Sequence, residues 1–480
     1  MHPLARLDHE FVWHPFTQMR DWLKQEPIVI TAGRGAVLRD ARGREYLDAN
    51  ASIWTNLHGH NHPGLNRALQ RQLGRIAHSS ALGLANEPAS RLAAELVDIA
   101  NPAGPDGNRL GPRLGKVFYS DDGSTAIEVA LKLAYETARR TGRSERPRFL
   151  SLQGAYHGDT VGAVSVGHID LFHRAYTGLL FRSDKVMAPY CYRCPFNRAK
   201  PERADARDYR RCQWECVDAV ARKFATRARG KEPYAAVVLE PRIQGAAGMI
   251  PQPAGWLARV ARLAREHGTP WIADEVMTGL GRTGAGAAPT GSSSPPPLFA
   301  CHAEGVQPDY LVVAKGLTGG YLPLAATLTT QAVFDAFLGE YGEFKTFFHG
   351  HSYTANQLGS ATARASLALL RRPASIRSRR RLERDLSRLL PRLWELPQVG
   401  DIRQVGLIVG IELVRDWQRR TPYPLTDQAG MRVAAAMARA GVLTRPIGNV
   451  LVLMPPYCTT ADQAERMVDT MRRCIRAVLG

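Results

Sequence analysis

A single lysine follows directly on a largely apolar run in a part of the chain that is rich in glycine. The run covers 310–314, Lys315 comes next, and Gly319, Gly320 and Pro323 follow. An apolar run that ends at turn residues is typical of a buried strand. A lysine at a desolvated strand end can lose its proton and act as an amine nucleophile. A structural lysine that caps the sheet is the alternative, and this stretch alone leaves both open.

Four other predicted strand ends carry groups that could bind a ligand. Gly123 and Ser124 open a predicted helix, whose free N–H groups and dipole favour an anion. A simple N-cap is the alternative there. Tyr156 lies between glycines, where an aromatic ring can stack on a flat ligand, although a packed loop tyrosine fits the pattern as well. Glu240 and Asp274 each lie at the end of an apolar run.

Short apolar strands alternate with helices through the middle of the chain, which is the pattern of a mostly parallel sheet. We therefore expect an α/β fold. Ligands of such sheets bind beyond the carboxyl ends of the strands, so the five strand ends should share one site. The predicted strands cover 116–120, 148–152, 235–240, 270–275 and 310–314, and the predicted helices cover 63–77, 87–99 and 255–267, with another beginning at 123.

The same patterns predict a large and a small domain. The large domain covers 62–345 and carries insertions at 190–216 and 284–297, the second of low complexity. The small α/β domain covers 346–480, with strands at 406–414 and 451–454 and helices at 427–440 and 460–479. The N-terminal segment 1–61 joins the small domain.

These groups together match the needs of pyridoxal 5'-phosphate (PLP). A phosphate needs a helix N-terminus, a flat ring needs an aromatic face, a protonated ring nitrogen needs a carboxylate, and an aldehyde needs a lysine. The phosphate turn, Tyr156, Asp274 and Lys315 supply these in order. Lys315 is therefore predicted to form the Schiff base with PLP and to carry protons.

The chain resembles the class III aminotransferases, which are PLP enzymes of fold type I, over nearly its whole length. The motifs that carry the resemblance are DDGSTAIEVALK, GAYHGDT, LEPRIQGAAGM, WIADEVMTGLGRTG, VVAKGLTGGYLPLAAT and HGHSYTANQLG. The resemblance implies a large domain with a mostly parallel sheet, a smaller α/β domain, and a homodimer with active sites at the subunit interface.

The resemblance also implies a role for each matched residue. Gly123 and Ser124 hold the phosphate, Tyr156 packs on the ring, Asp274 pairs with the ring nitrogen, and Lys315 binds the cofactor. Ser352 contributes a hydroxyl to the phosphate in the partner subunit. Arg445 binds a substrate carboxylate. Trp54, Gly350 and Tyr457 line the substrate pocket, to which Tyr156 and Lys315 also belong.

Narrower markers resemble the branch of the class that acts in biotin biosynthesis. They are WHPFTQM, SIWTNLHGHNHP and RPIGNVLVLMPPY. This branch converts 8-amino-7-oxononanoate to 7,8-diaminononanoate, with S-adenosyl-L-methionine as the expected amino donor. Phe16 and Ile53 stand where many adenosylmethionine users carry tyrosine and tryptophan, so lysine is the alternative donor.

Two other functions remain open. One is a different ω-amino or diamine aminotransferase of the same class. The other is a regulatory protein with the same fold. The second is disfavoured, because Lys315 and Asp274 are both present.

Composition limits the other partners. The 480 residues carry a formal net charge of +19, mostly from scattered arginines, but no nucleic-acid recognition motif accompanies the charge. We expect neither a nucleic-acid nor a membrane partner. The first residues contain no apolar stretch of signal-peptide length, so a cytoplasmic protein is expected.

Four of the seven cysteines form a CxxC and a CxxxC motif in the first insertion. They are Cys191, Cys194, Cys212 and Cys216. This spacing could bind a structural zinc ion. Four reduced thiols in a surface loop are the alternative.

Overall fold

The computed structural model describes residues 1–104, 107–284 and 296–480. Most of the insertion predicted at 284–297 lies outside the described residues. The strands are β1 (Ile30–Arg34), β2 (Val37–Asp40), β3 (Glu45–Asp48), β4 (Leu114–Ser120), β5 (Phe149–Leu152), β6 (Asp184–Val186), β7 (Ala236–Leu239), β8 (Ile243–Gln244), β9 (Ile250–Pro251), β10 (Trp271–Asp274), β11 (Tyr310–Val313), β12 (Ala325–Thr330), β13 (Val399–Val405), β14 (Ile408–Asp416), β15 (Thr421–Pro422), β16 (Val442–Leu443) and β17 (Val450–Leu453).

Helices connect and cover these strands. They are Pro3–Phe11, Met19–Trp22, Pro63–Leu73, Glu87–Ile99, Gly123–Arg140, Val161–Val166, Asp170–His173, Ala206–Tyr209, Glu215–Arg229, Trp256–Glu266, Ala300–Ala303, Gln331–Asp335, Gln357–Leu370, Pro373–Leu389, Ala429–Arg439 and Ala461–Leu479. The helix predicted over 63–77 ends earlier than expected, at Leu73, because the next residue, Gly74, is a poor helix former. None of these helices is long and apolar enough to cross a membrane.

The large sheet confirms the predicted α/β fold. Its seven strands lie in the order β4-β12-β11-β10-β7-β5-β6. The strands from β11 to β6 are parallel, whereas β12 is antiparallel to both β11 and β4. All four residues of β7, β10 and β11 are buried, because helices cover both faces of a parallel sheet.

The helix Gly123–Arg140 fixes the end of β4 against the sheet. Its first turn is closed by a capping box between Asp122 and Thr125. Ile127, Val129 and Leu131 are buried among the strands and set the direction of the helix. The helix N-terminus therefore lies directly after β4, at the carboxyl edge where β10 and β11 also end.

The N-terminal segment and the C-terminal region share a small sheet, in which β3 pairs in parallel with β16. A second C-terminal sheet pairs β14 with β13, β15 and β17. The domain boundaries at 61/62 and 345/346 stay predictions.

Candidate active site

Lys315 lies at the carboxyl end of β11 and lines a cavity of about 420 Å³. Its backbone φ of 41° lies in the left-handed region, and it begins a short 3₁₀ turn, Lys315–Thr318. Its Nζ is 5.2 Å from the centre of the Trp54 ring. Burial lowers the pKa of the lysine, while Asp274 and Glu240 oppose the shift. The amine is therefore easier to deprotonate than one in water, as a nucleophile requires.

Asp274 ends β10 and is fixed by two hydrogen bonds. Its Oδ2 lies 2.7 Å from Nδ1 of His157, and its Oδ1 accepts a hydrogen bond of 3.1 Å from the N–H of Val276. Both His157 and Asp274 line the cavity and are buried. With Nδ1 as the donor, the imidazole holds the carboxylate in one orientation. A carboxylate held in this way can pair with a protonated ring nitrogen.

Glu240 brings a second carboxyl group to the cavity. Its oxygens accept hydrogen bonds from the N–H groups of Tyr156 at 3.3 Å and Gly245 at 2.7 Å. Burial raises its pKa to about 7, with Asp274 adding to the shift and His157 opposing it. The group can therefore hold or release a proton near neutral pH.

The start of the helix Gly123–Arg140 forms an anion-binding wall of the cavity. Its first N–H groups have no acceptor within the helix, and the helix dipole places partial positive charge there. A Cβ atom on Gly123 would lie 2.8 Å from Val276 Cγ1, and one on Gly158 would lie 2.1 Å from Ser124 Oγ. The backbone of both turns is thus packed too closely for a larger side chain, and a helix start without a side chain can bind a phosphate through its N–H groups.

Tyr156 lines the same cavity through its aromatic ring. Its hydroxyl donates to Asp159 Oδ2 at 2.6 Å, and its ring stacks with that of His173 at 6.1 Å and 12°. These two contacts hold the ring in one orientation, so that its other surface can contact a flat ligand.

Trp54 reaches the cavity from an unusual backbone segment. Four consecutive residues, 51–54, have positive φ values between 44° and 71°, although none is glycine. The turn is held by Trp54 Nε1, which donates to Asn50 Oδ1 at 2.8 Å, and by Ser52, whose hydroxyl donates to Asp48 Oδ2 at 3.0 Å. Strain of this kind collects at functional sites, where the surrounding structure enforces it.

The structure brings together seven of the residues predicted for the site. They are Trp54, Gly123, Ser124, Tyr156, Glu240, Asp274 and Lys315. His157, which also lines the cavity, lies in the GAYHGDT motif but had no predicted role. A histidine beside a ligand-stacking tyrosine is the signal that could have identified it.

Four other predicted residues do not line this cavity within the described part of the chain. The carbonyl of Ser352 lies 2.9 Å from His78 Nε2, and Gly350 lies in the same loop. Arg445 is exposed and donates to the carbonyl of Phe16 at 2.6 Å. The hydroxyl of the buried Tyr457 donates to the carbonyl of Leu280 at 3.0 Å.

None of the four cysteines of the first insertion takes part in a disulfide. In the described ranges, no three His, Cys, Asp or Glu side chains are grouped to hold a metal ion. Burial raises the pKa of Cys191 to about 12 and that of Cys216 to about 11. Cys212 contacts the guanidinium of Arg210, with Nη1 and Sγ 3.0 Å apart. The zinc site stays a prediction.

The residues of the cavity fit PLP. The buried Nδ1 of His157 points at Asp274, the turns at the helix start are glycines where a Cβ atom would clash, and a lysine with a lowered pKa lies in the same cavity. This donor set matches the ring nitrogen, phosphate and aldehyde of the cofactor.

The chain belongs to the class III aminotransferases. The family model described as aminotransferase class-III matches residues 19–475. The adenosylmethionine-8-amino-7-oxononanoate aminotransferase of Nitratidesulfovibrio vulgaris is 48% identical over 478 residues, which cover 99% of this chain and 82% of that protein.

Solved structures show the same relationship. The crystal structure of the adenosylmethionine-8-amino-7-oxononanoate aminotransferase from Methanocaldococcus jannaschii matches with a TM-score of 0.87 and 38% identity, covering 99% of both chains. An amine transaminase from an uncultivated Pseudomonas species, in its PLP-bound form, matches with a TM-score of 0.84 and 30% identity, covering 97% of this chain and 98% of the other.

Proposed function

We propose that the protein transfers an amino group to 8-amino-7-oxononanoate and forms 7,8-diaminononanoate, a step of biotin biosynthesis, with PLP as cofactor. One observation carries the proposal: a single cavity holds Lys315, the Asp274–His157 pair and the N-terminus of the helix Gly123–Arg140. The substrate assignment is supported by the names of full-length relatives at 40–48% identity.

Each residue in the cavity has a distinct task. When bound, PLP supplies an aldehyde that links covalently to amines and a ring that accepts electrons. Lys315 would hold the cofactor through its Nζ, and the amine, once free, would move a proton from and to the α-carbon of the substrate. Asp274 would pair with the protonated ring nitrogen, and the helix start would bind the phosphate.

Surrounding groups orient the cofactor and the substrate. Tyr156 contacts the ring, and His157 fixes the carboxylate of Asp274 through the 2.7 Å contact. Trp54 lies above Lys315 and excludes water from its amine. Arg445, which is exposed, supplies a guanidinium for the carboxylate of the oxononanoate.

We also propose a cytoplasmic homodimer with active sites at the subunit interface. Gly350 and Ser352 lie outside the cavity of their own chain, where they can serve the site of a partner. The loop that carries them exposes two aromatic rings, Phe348 at 75% and Tyr353 at 61%, as a protein interface requires.

The amino donor is S-adenosyl-L-methionine in this proposal, with lysine as the alternative. Phe16 and Ile53 are both exposed, and the Phe16 ring contacts Phe172 at 5.3 Å. Neither side chain offers the hydroxyl or indole that many adenosylmethionine users carry there. The carbonyl of Phe16 accepts a hydrogen bond from the guanidinium of Arg445. The residue proposed to affect the choice of amino donor therefore contacts the residue proposed to bind the amino acceptor.

Parallel assays with the two donors test the proposal. PLP-loaded protein and 8-amino-7-oxononanoate are incubated with S-adenosyl-L-methionine or with lysine, and diaminononanoate is measured by mass spectrometry. We expect product with S-adenosyl-L-methionine. If product forms with lysine but not with S-adenosyl-L-methionine, lysine is the amino donor. If product forms with neither donor, the proposed reaction is wrong.

A further inference from the structure

A buried charge network connects the cysteine-rich insertion to the small domain. The side chain of Arg403 on β13 is fully buried, and its Nη1 lies 2.9 Å from Asp401 Oδ2 and 2.7 Å from Glu412 Oε2. Glu412 on β14 also accepts hydrogen bonds from Arg193 Nε at 2.6 Å and from the hydroxyl of Tyr190. Tyr190 and Arg193 flank Cys191 in the insertion.

The Arg403 guanidinium also forms hydrogen bonds with the turn 245–248, which lies in the predicted large domain. Its Nε and Nη2 donate to the carbonyl of Gly248 at 3.1 and 2.6 Å. The N–H of Gly248 donates to the carbonyl of Gly245 at 3.0 Å, which closes the turn. The N–H of Gly245 in turn donates to Glu240 Oε2 at 2.7 Å. The turn is therefore fixed from two sides, by Arg403 and by Glu240.

This turn forms part of the cavity wall on the side of Trp54. Ala246 lines the cavity. A Cβ atom added to Gly245 would lie 2.5 Å from Met277 Sδ and 3.4 Å from Trp54 Cζ3, so the turn backbone is in close contact with both side chains. A shift of the turn would change the shape of the pocket beside Trp54.

The guanidinium of Arg403 can hold the turn 245–248 in one position. A guanidinium is planar and donates in fixed directions, and here it bonds two carboxylates and one carbonyl at once. A buried charge in such a network loses much free energy if one partner is removed, so alternative side-chain positions are disfavoured.

We propose that Arg403 is a positioning residue for substrate binding. It fixes the turn 245–248 through the carbonyl of Gly248, and the insertion supports it through Tyr190, Arg193 and Glu412. The inference rests on the aminotransfer reaction proposed above and assigns a role to residues that lie outside the cavity.

Two substitutions of Arg403 test the proposal in the PLP-loaded protein. Arg403→Lys keeps a positive charge between Asp401 and Glu412 but removes the two hydrogen bonds from Nε and Nη2 to the Gly248 carbonyl. Arg403→Gln removes the charge as well. The control is Arg143→Lys, because Arg143 also donates to backbone carbonyls, those of Tyr234 and Ala235, outside the cavity lining. Hydrogen exchange of the peptide 243–251 and the KM and kcat for the amino acceptor are measured.

In Arg403→Lys we expect exchange in 243–251 to rise about tenfold, since one or two hydrogen bonds that hold the turn are lost. The acceptor KM should rise about fivefold with kcat within about twofold of the parent, which is the signature of lost substrate binding. Arg143→Lys should change neither quantity. Parental exchange and parental KM in Arg403→Lys would overturn the proposal, and so would a loss of kcat and bound PLP at unchanged KM.

The two proposals can be separated. Arg403→Gln should show the same changes to a larger extent, and if it does not fold, the lysine variant decides. Exchange of the peptide is measured without substrate. A parent protein that is inactive with 8-amino-7-oxononanoate therefore counts against the proposed reaction, whereas unchanged exchange in the lysine variant counts against the role of Arg403.

Discussion

The Nδ1 atom of His157 lies 2.7 Å from Oδ2 of Asp274, and the two side chains are buried beside the cavity that both line. The pair makes Asp274 a fixed carboxylate rather than a mobile one. The contact would keep Asp274 aligned with the ring nitrogen of PLP in the role proposed for it above.

Substitution of Asp274 should lower activity more than substitution of His157. We expect Asp274→Asn to lower kcat/KM by at least about a hundredfold, because the charge opposite the ring nitrogen is lost. His157→Asn should cost about tenfold, as expected for one hydrogen bond to a charged group. His302→Asn is the control, since His302 is also buried and bonds Gln307 at 2.9 Å but does not line the cavity. Equal losses in all three variants would contradict this role.

Lys315→Ala should abolish covalent cofactor binding. We expect the long-wavelength absorbance of bound PLP to disappear and turnover to fall by at least about a thousandfold, because both the anchoring amine and the proton carrier are lost. Lys185→Ala is the matched control, since burial also lowers the pKa of Lys185 and its amine contacts the carbonyl of Ser165 at 3.3 Å. Covalent PLP in Lys315→Ala would mean that another lysine binds the cofactor.

Glu240 should make the stability of the cofactor-free protein depend on pH. Burial raises its pKa from the ordinary 4.5 to about 7, so between these values the folded state binds a proton that the unfolded state has released. The stabilisation is complete below pH 4.5 and is lost as the pH rises through about 7. Its slope is about 1.4 kcal/mol per pH unit, on the order of 3 kcal/mol in total.

Glu240→Gln should lack this slope. Urea unfolding of both proteins across this pH range measures the difference between their free energies of unfolding. Burial also raises the pKa of Asp401 to about 7, but this group titrates in both proteins, so its contribution cancels in the difference. A difference in unfolding free energy that stays constant with pH would show that Glu240 titrates normally.

The exposed Arg445 should act on the amino acceptor and not on the cofactor. We expect Arg445→Ala to raise the KM for 8-amino-7-oxononanoate about tenfold or more, the effect of one charge-assisted hydrogen bond, while the PLP absorbance stays unchanged. Arg415→Ala, which removes another exposed arginine, is the control and should leave KM unchanged. Loss of PLP from Arg445→Ala would show that the residue has a different place in the site.

Residues that follow directly on strands could be predicted from the sequence. Lys315, Asp274 and Gly123 come together because parallel strands end at one edge of a sheet, and apolar runs reveal those ends. The contact between His157 and Asp274 could not be predicted, because it depends on how the loop after β5 folds over the end of β10. The left-handed turn at 51–54 also gave no signal, since it contains no glycine.

Some residues were assigned to the site by resemblance or by local spacing alone. Gly350 and Ser352 were placed by resemblance, and the cavity of their own chain does not contain them. The spacing of the four cysteines suggested a metal, but local spacing carries no information about burial, which raises the pKa of the Cys191 and Cys216 thiols.

The most direct test of the proposed reaction uses the acceptor half alone. Protein loaded with pyridoxamine phosphate, the amine form of the cofactor, is mixed with 8-amino-7-oxononanoate in the absence of any amino donor. We predict one equivalent of 7,8-diaminononanoate per site, together with the return of PLP absorbance, whichever donor the protein uses in turnover. No diaminononanoate, from protein that does aminate another carbonyl compound under the same conditions, would contradict the account.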